Sequence, residues 1–496
     1  MDRLNLANLA RVPEQARPLQ DPRDLSIGVV HLGIGAFHRA HQAIYTEKAM
    51  SLEGAANWGI CGVTQRSAAV AEALVPQDCL YSVTTSSPAG TELRVAGAVR
   101  EVIFARGQAV ELTERLSSPA TAVVTLTVTE KGYRYNPVTR ALQEGDGELA
   151  ADAGGRPPET VLGQLVAGIE ARMRTGGPPL SIVCCDNLPS NGPTLQRLVE
   201  AYCRLLPSER GEAVLRWAVA NASFPATVVD RIVPAATDDD RANAAGLLGL
   251  EDHAAVVTEP FTQWVVEDRF VGPRPAWELA GAELVADAAP YEEIKLRLLN
   301  GSHSALAYLG ALAGYELIAD AVNAPGFATY IRGLMDTDVT PTLSPPSGFD
   351  LEGYKAALVE RFANPVLRHR TTQVAMDGSQ KLPYRLLAPA RARLAAGGEP
   401  RHTCLAIAGW MRYVSAEESD KGVPLPLDDP LVGRLRATVA GVSTPSTLVE
   451  ALLEVEEIFP AELAEDATFR KLLVEELDLL SHYGAAAAVA SLAVAD

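Results

Sequence analysis

The chain has 496 residues, too many for one compact core, and its 48% hydrophobic and 21% charged content is that of an ordinary globular protein of two or three domains. A formal net charge of −19 disfavours non-specific attraction to nucleic acid or to anionic membranes. It leaves small anionic substrates open, because a few local arginines can hold them.

The six cysteines stand at 61, 79, 184, 185, 203 and 404. None forms a C-x-x-C pair or joins a His/Cys cluster with zinc spacing, so buried reduced thiols and no metal centre are expected. The opening stretch "MDRLNLANLARV" lacks the apolar core of a secretory leader, and no run of about 18 apolar residues could span a bilayer. A cytoplasmic chain that avoids membranes is the default expectation.

"LSIGVVHLG" (25–33) reads as a short β-branched strand ending in glycine, followed by a helical stretch "HRAHQAIYTEKAM". "WGICGVT" (58–64) is the next strand, with the helical "SAAVAEAL" after it. "CLYSVTTS" and "TELRVAGAVREVIFA" read as a β-hairpin insertion. "TAVVTLTVT" (121–129), "SIVCCDNL" (181–188) and "WAVANASF" (217–224) continue the strand series. Apolar runs alternating with helical stretches predict a mostly parallel sheet covered on both faces. From about residue 290 the pattern becomes helical, as in "LEGYKAALVERFA" and "TLVEALLEVEEI", with breaks such as "TPTLSPPSGFD" (340–350). The expected division is a Rossmann-type dinucleotide-binding domain with insertions over 1–285 and a mainly helical domain over 286–496.

The turn after the first strand places Gly33 and Gly35 around Ile34, with Ala36 and Phe37 opening the helix. In a dinucleotide site the first glycine permits the tight turn, and the second lets backbone approach a pyrophosphate. A third glycine would complete the pattern, but His38 stands there, and a ligand-free strand–helix turn remains a second reading. After the second strand come Gln65, Arg66 and Ser67, with no carboxylate until Glu72. A carboxylate there would bind the ribose hydroxyls of NAD, whereas Arg66 suits the 2′-phosphate of NADP, so this position leaves the cofactor open.

"YEEIKLRLLNGSHSALAYLG" carries a lysine through a leucine-rich helix. At about 100° per residue, Glu292, Lys295, Asn300 and His303 share an arc of roughly 140°. Leu296 and Leu299 fall within it, and a mixed face suits a cleft wall. Burial lowers the pKa of a lysine, which can then exchange a proton with an alcohol or carbonyl oxygen. Asn300 can donate an N–H to a developing oxyanion, and His303 can orient a hydroxyl or the lysine. The plainer alternatives are a lysine that snorkels to solvent and a satisfied core histidine.

The segments "VHLGIGAFHRAHQA", "TLTVTEKGY", "CDNLPSNG", "FPATVVDRIVPA", "KLRLLNGSHSALAYLG" and "MDGSQKLP" together resemble the long-chain polyol dehydrogenases. That family includes mannitol 2-dehydrogenase and fructuronate reductase. The likeness runs in order over nearly the whole chain, and K-x-x-x-x-N-G-x-H is its specific motif. The resemblance implies a metal-independent secondary-alcohol dehydrogenase, with its active site between a dinucleotide-binding domain and a helical domain. It implies Lys295 as general acid/base, Asn191 and Asn300 as the oxyanion-stabilising pair, His303 positioning substrate and Glu292 gating proton exchange with water. Asp230 and Lys381 would contact substrate hydroxyls. NAD is the cofactor the family mostly uses.

"NPVLRHRTTQVAMDGSQKLPYRLL" is similar to the fructuronate reductase branch. A uronate carboxylate needs a cation, and Arg368 and Arg370, flanking His369, offer planar guanidinium groups for it; surface ion pairs are their alternative use. The expected reaction is D-fructuronate to D-mannonate and back. Mannitol and fructose are the alternative substrates, and a non-catalytic dinucleotide-binding redox sensor is the alternative of another class. A monomer or weak homo-oligomer acting on a small molecule is expected.

Overall fold

The computed structural model describes residues 1–136, 141–143 and 145–493. They form two compact units, Met1–Ala289 and Pro290–Asp496.

The first unit is built on six parallel strands: β1 (Ile27–Leu32), β2 (Gly59–Thr64), β3 (Val99–Phe104), β4 (Val123–Leu126), β5 (Leu180–Cys184) and β6 (Ala222–Ser223). Their spatial order is β3-β2-β1-β4-β5-β6, that of a Rossmann sheet. The continuous apolar runs follow from burial of both faces. Val30, Val124 and Ile182 enter one core together with Leu162, Leu165 and Ile169 of the helix Val161–Thr175. Their neighbours Val29, Val123 and Val183 enter a second core with Ala43, Ala49 and Met50 of the helix Gln42–Glu53. Successive strand residues point to opposite faces, so each strand contributes to both cores. Because β1 lies between β2 and β4, the chain reverses direction across the sheet at the C-terminal ends of β1 and β4, where such folds bind ligands.

Three expectations need correction. "TELRVAGAVREVIFA" is two strands: Gly90–Ala96 pairs with Tyr81–Ser87 as a hairpin, whereas Val99–Phe104 is β3 of the main sheet. Gly97 separates them, packed so closely that a Cβ would lie 2.7 Å from Pro22. "WAVANASF" is mostly the end of the helix Ser208–Asn221, with only Ala222–Ser223 in the sheet. Gly211, Val214 and Ala218 are its buried stripe, a helical spacing hidden by the short window. The helix after β1 is broken at His41 (φ −123°, ψ −91°) into Ala36–Ala40 and Gln42–Glu53.

The second unit is helical. Its helix Gly301–Leu312 is buried throughout, save that His303 is half-buried. Gly310 faces Ala321, and Gly409 of the helix Arg401–Ser415 faces Leu309, each so closely that a Cβ would lie under 3 Å from its neighbour. Three segments wind as π-helix: Lys295–Asn300, Leu334–Val339 and Pro383–Leu387. Among the described residues no helix is long and apolar enough to cross a membrane. All six cysteines are buried free thiols.

Candidate active site

In the first unit the turn after β1 is fixed by what glycine lacks. Gly33 has φ +100°, and a Cβ there would lie 2.1 Å from the Thr127 carbonyl oxygen. The Gly33 and Ile34 N–H groups both donate to the Val63 carbonyl, at 2.8 and 3.0 Å. Ile34 fills the space above Gly62, where any Cβ would strike its Cδ1 at 2.2 Å. Gly35 differs: its φ is −81°, and a Cβ would approach only the Gly33 carbonyl, at 3.9 Å. The open side of Gly35 faces a cleft of about 360 Å³ that Gly33, Ile34, Arg66, Arg106 and Thr127 also line. A glycine with no neighbour to avoid, at the mouth of a cleft of ligand-binding size, fits close approach by a dinucleotide pyrophosphate. Ala36 and Phe37 are half-buried, and Phe37 stacks on His41 with ring centroids 5.0 Å apart.

The missing third glycine has a structural explanation. His38 is fully buried and stacks on His31 of β1, with centroids 3.4 Å apart and planes at 15°. The flat ring pair gives the close helix–strand packing that a glycine gives elsewhere. His31 is held between the Thr125 hydroxyl at 2.7 Å and the Thr127 hydroxyl at 2.8 Å. Burial pushes its pKa down to about 3, and it pushes that of His38 well below the usual imidazole range.

Asn191 opens the helix Asn191–Cys203 and is buried. Its Nδ2 donates to the carbonyls of Thr227 (2.9 Å) and Asp186 (3.1 Å), and its Oδ1 accepts from the Thr227 N–H at 2.9 Å. Both amide hydrogens are thereby engaged, so donation to a substrate oxyanion requires release of one, the Asp186 bond being the longer. Thr227 begins the strand Thr227–Asp230, at whose end Asp230 lies buried.

In the second unit Lys295 and Asn300 are the first and last residues of a π-helical turn, entered from the helix Ala289–Ile294, which bears the half-buried Glu292. Hydrogen bonds of the i→i+5 kind widen the turn, so the arc drawn at α-helical spacing does not apply here. Residues five apart come closer to one line along the axis than an α-helix allows, which aligns Lys295 with Asn300. Lys295 is 8% exposed.

Behind this turn the Arg385 guanidinium donates to the Ser304 hydroxyl at 3.1 Å and to the Asn300 carbonyl at 3.4 Å. A Cβ on Gly301 would stand 2.9 Å from the Arg385 carbonyl oxygen. His303 meets His369 edge-on at 4.7 Å and lies 5.3 Å from the Phe362 ring. Burial, then the nearby His369, Arg385, Lys381 and Arg361, push its pKa well below the usual imidazole range. Burial and Lys381 bring His369 down to about 4. Both rings are therefore neutral at pH 7. The Lys381 ammonium donates to the carbonyls of Val374 and Met376. Arg368 is exposed at φ +44°. Arg370 forms an exposed ion pair with Glu316.

Residues 27–279 match the family model "Mannitol dehydrogenase Rossmann domain", and residues 287–481 match "Mannitol dehydrogenase C-terminal domain". The chain belongs to the mannitol dehydrogenase family. It is an oxidoreductase of that family. The D-mannonate oxidoreductase of Escherichia coli strain K12 is 40% identical over 482 residues, covering 96% of this chain and 98% of that one. A mannitol 2-dehydrogenase of Pyrenophora tritici-repentis is 35% identical, covering 98% of this chain and 85% of the relative. Among solved structures, the Pseudomonas fluorescens mannitol 2-dehydrogenase in ternary complex with NAD and D-mannitol superposes with a TM-score of 0.90, at 34% identity over the full length of both chains.

Several residues of this mannitol dehydrogenase family member escaped the sequence reading. Arg361 carried a usable signal: it falls on the stripe Tyr354, Lys355, Leu358, Arg361, Phe362 that the helix Leu351–Phe362 buries, a charge at a core position. Arg385 and Arg106 carried none, because their importance comes from contacts distant in sequence.

Proposed function

We propose that the protein reduces D-fructuronate to D-mannonate, and catalyses the reverse oxidation, with NAD(H) held at the Gly33–Gly35 turn. The observation that carries this reading is the buried Lys295 sharing a π-turn with Asn300. Residues 1–285 hold the cofactor and lend Asn191 and Asp230 to the substrate, and 286–496 supply the remaining catalytic and substrate-binding groups. A nicotinamide cofactor held by Gly33, Ile34 and Gly35 would supply the hydride for the carbonyl carbon. Lys295 gives a proton from Nζ to the carbonyl oxygen, so that ketone, hydride and proton become the secondary alcohol. Asn300, and Asn191 once it releases the Asp186 carbonyl, donate N–H to that oxygen as charge builds. Glu292 returns a proton from water to Lys295. His303, kept neutral by burial, can accept a hydrogen bond from a substrate hydroxyl. Asp230 and Lys381 bind other hydroxyls, and Arg368 and Arg370 receive the carboxylate, Arg370 exchanging Glu316 for it.

The uronate is favoured by the 40% identity to a D-mannonate oxidoreductase over nearly the full length of both chains. The second reading, mannitol 2-dehydrogenase, is favoured by the relative whose structure holds NAD and D-mannitol. The reaction runs in the cytoplasm, with the chain a monomer or weak homo-oligomer. The deciding measurement is kcat/KM for fructuronate against fructose. A ratio of 100 or more (roughly 3 kcal/mol of transition-state discrimination) is expected, and a preference for fructose would establish the second reading.

A further inference from the structure

We propose that the dinucleotide cleft contains a subsite for an adenosine 2′-phosphate, formed by Arg66, Ser67 and Arg106, so that this chain accepts NADP(H) as well as NAD(H). The inference rests on the dinucleotide reading of the Gly33–Gly35 cleft and extends it to the far end of the ligand.

The subsite follows from the register of two neighbouring strands. β2 and β3 run parallel with Thr64 paired to Phe104, and the Ala105 N–H donates to the Thr64 carbonyl at 3.0 Å. Arg66 and Arg106 each stand two residues beyond that pair, so both guanidinium groups emerge at the same edge of the sheet. Both line the cleft that the glycine turn lines, and Ser67 lies beside them. This is the edge where a ribose-binding carboxylate would follow the second strand. Here the chain reads Gln65-Arg66-Ser67. The Gln65 and Gln164 side-chain amides each donate a hydrogen bond to the other's oxygen at 3.0 Å, which fixes the start of the loop.

Charge bookkeeping at this edge leaves a cation over. Glu159 and Glu148 also line the cleft. Glu159 lies between Arg106 at 3.8 Å and Arg156 at 3.9 Å, and Glu148 is paired with Arg134. Among the described residues no carboxylate stands within ion-pair distance of Arg66. A ribose hydroxyl gains little from two guanidinium groups, which only donate. A phosphate presents several anionic acceptors to the same donors and can be gripped at two oxygens. The Ser67 hydroxyl accepts from the Ala69 N–H at 3.2 Å, which leaves its own hydrogen to donate.

The test is isothermal titration of the full chain with 2′,5′-ADP and with 5′-AMP, beside fluorescence titration with NADPH and NADH. The expected result is 2′,5′-ADP binding about tenfold tighter than 5′-AMP, with the advantage shrinking as salt rises. NADPH should bind no more weakly than NADH. Arg66→Ala should erase the difference between the two adenosine nucleotides, and because Arg66 is exposed the variant should melt with the wild type. If NADH binds while 2′,5′-ADP shows no advantage, the subsite is refuted and the dinucleotide reading stands. If none of the four ligands binds, the dinucleotide reading fails and takes the subsite with it.

Discussion

At Gly33 the chain has no room for a single methyl group, whereas at Lys295 it carries a long cationic side chain through a buried stretch. The glycine turn is shaped by its own backbone: a positive φ, two N–H groups on one carbonyl and a missing Cβ. The lysine turn is shaped by its neighbours, with Gly301 against the Arg385 backbone and the Arg385 guanidinium on Asn300 and Ser304. Local constraint leaves a trace in sequence. Constraint from distant packing leaves much less.

The comparison can be broken most sharply at the chemistry. Lys295→Ala should lower kcat for ketone reduction about 10²–10⁴-fold while the melting temperature holds. Near wild-type turnover in steady-state assays would remove the lysine from the mechanism. Gly33→Ala should cost about 3 kcal/mol of stability, from the left-handed φ and the contact with Thr127; a denaturant midpoint unchanged from wild type would contradict the local account. For Gly301→Ala the expected cost is about 1–3 kcal/mol, with kcat falling because the added methyl pushes on Arg385; lost stability at full kcat would detach the π-turn from catalysis. Gly35→Ala should melt with the wild type yet raise the dinucleotide Kd about tenfold, since its Cβ meets no protein atom at close range. A destabilised protein with full affinity would reverse the roles of the two glycines.

The smallest effect lies in pH. His31 has its folded pKa at about 3 and His38 is also depressed, against about 6.5 unfolded. The unfolded chain therefore binds more protons between those values. The stability these rings contribute is full above about pH 6.5 and is lost as pH falls toward 3. His38→Phe keeps a ring on His31 and removes one titration. Its melting temperature should fall less steeply than wild type between pH 6.5 and 5; parallel curves would rule the stack out as the acid-labile element.

How much was legible follows the same division. β1, β2, β4 and β5 announced themselves as apolar, β-branched runs because a parallel sheet covered on both faces needs nothing else of them. β3 and β6 were obscured by their neighbours, one fused in the reading to a hairpin and the other to a helix end. The lysine was visible because a charge on an apolar stripe is anomalous, but that signal is not specific. Lys355 sits on just such a stripe, fully buried, and its ammonium is held by Asp336 and Glu352. What marks Lys295 apart is the ordered motif around it. The π-turn that aligns it with Asn300 was not legible, since winding of that kind depends on what packs against the helix.

The buried thiols give each unit its own clock. Five of the six cysteines, at 61, 79, 184, 185 and 203, belong to the first unit, and Cys404 alone to the second. Desolvation keeps all six as protonated, weakly nucleophilic groups, so an alkylating reagent reaches them only when the surrounding structure opens. Mass-resolved labelling over time would thus time the opening of the Rossmann sheet and of the helical unit separately, in one sample and without any engineered probe.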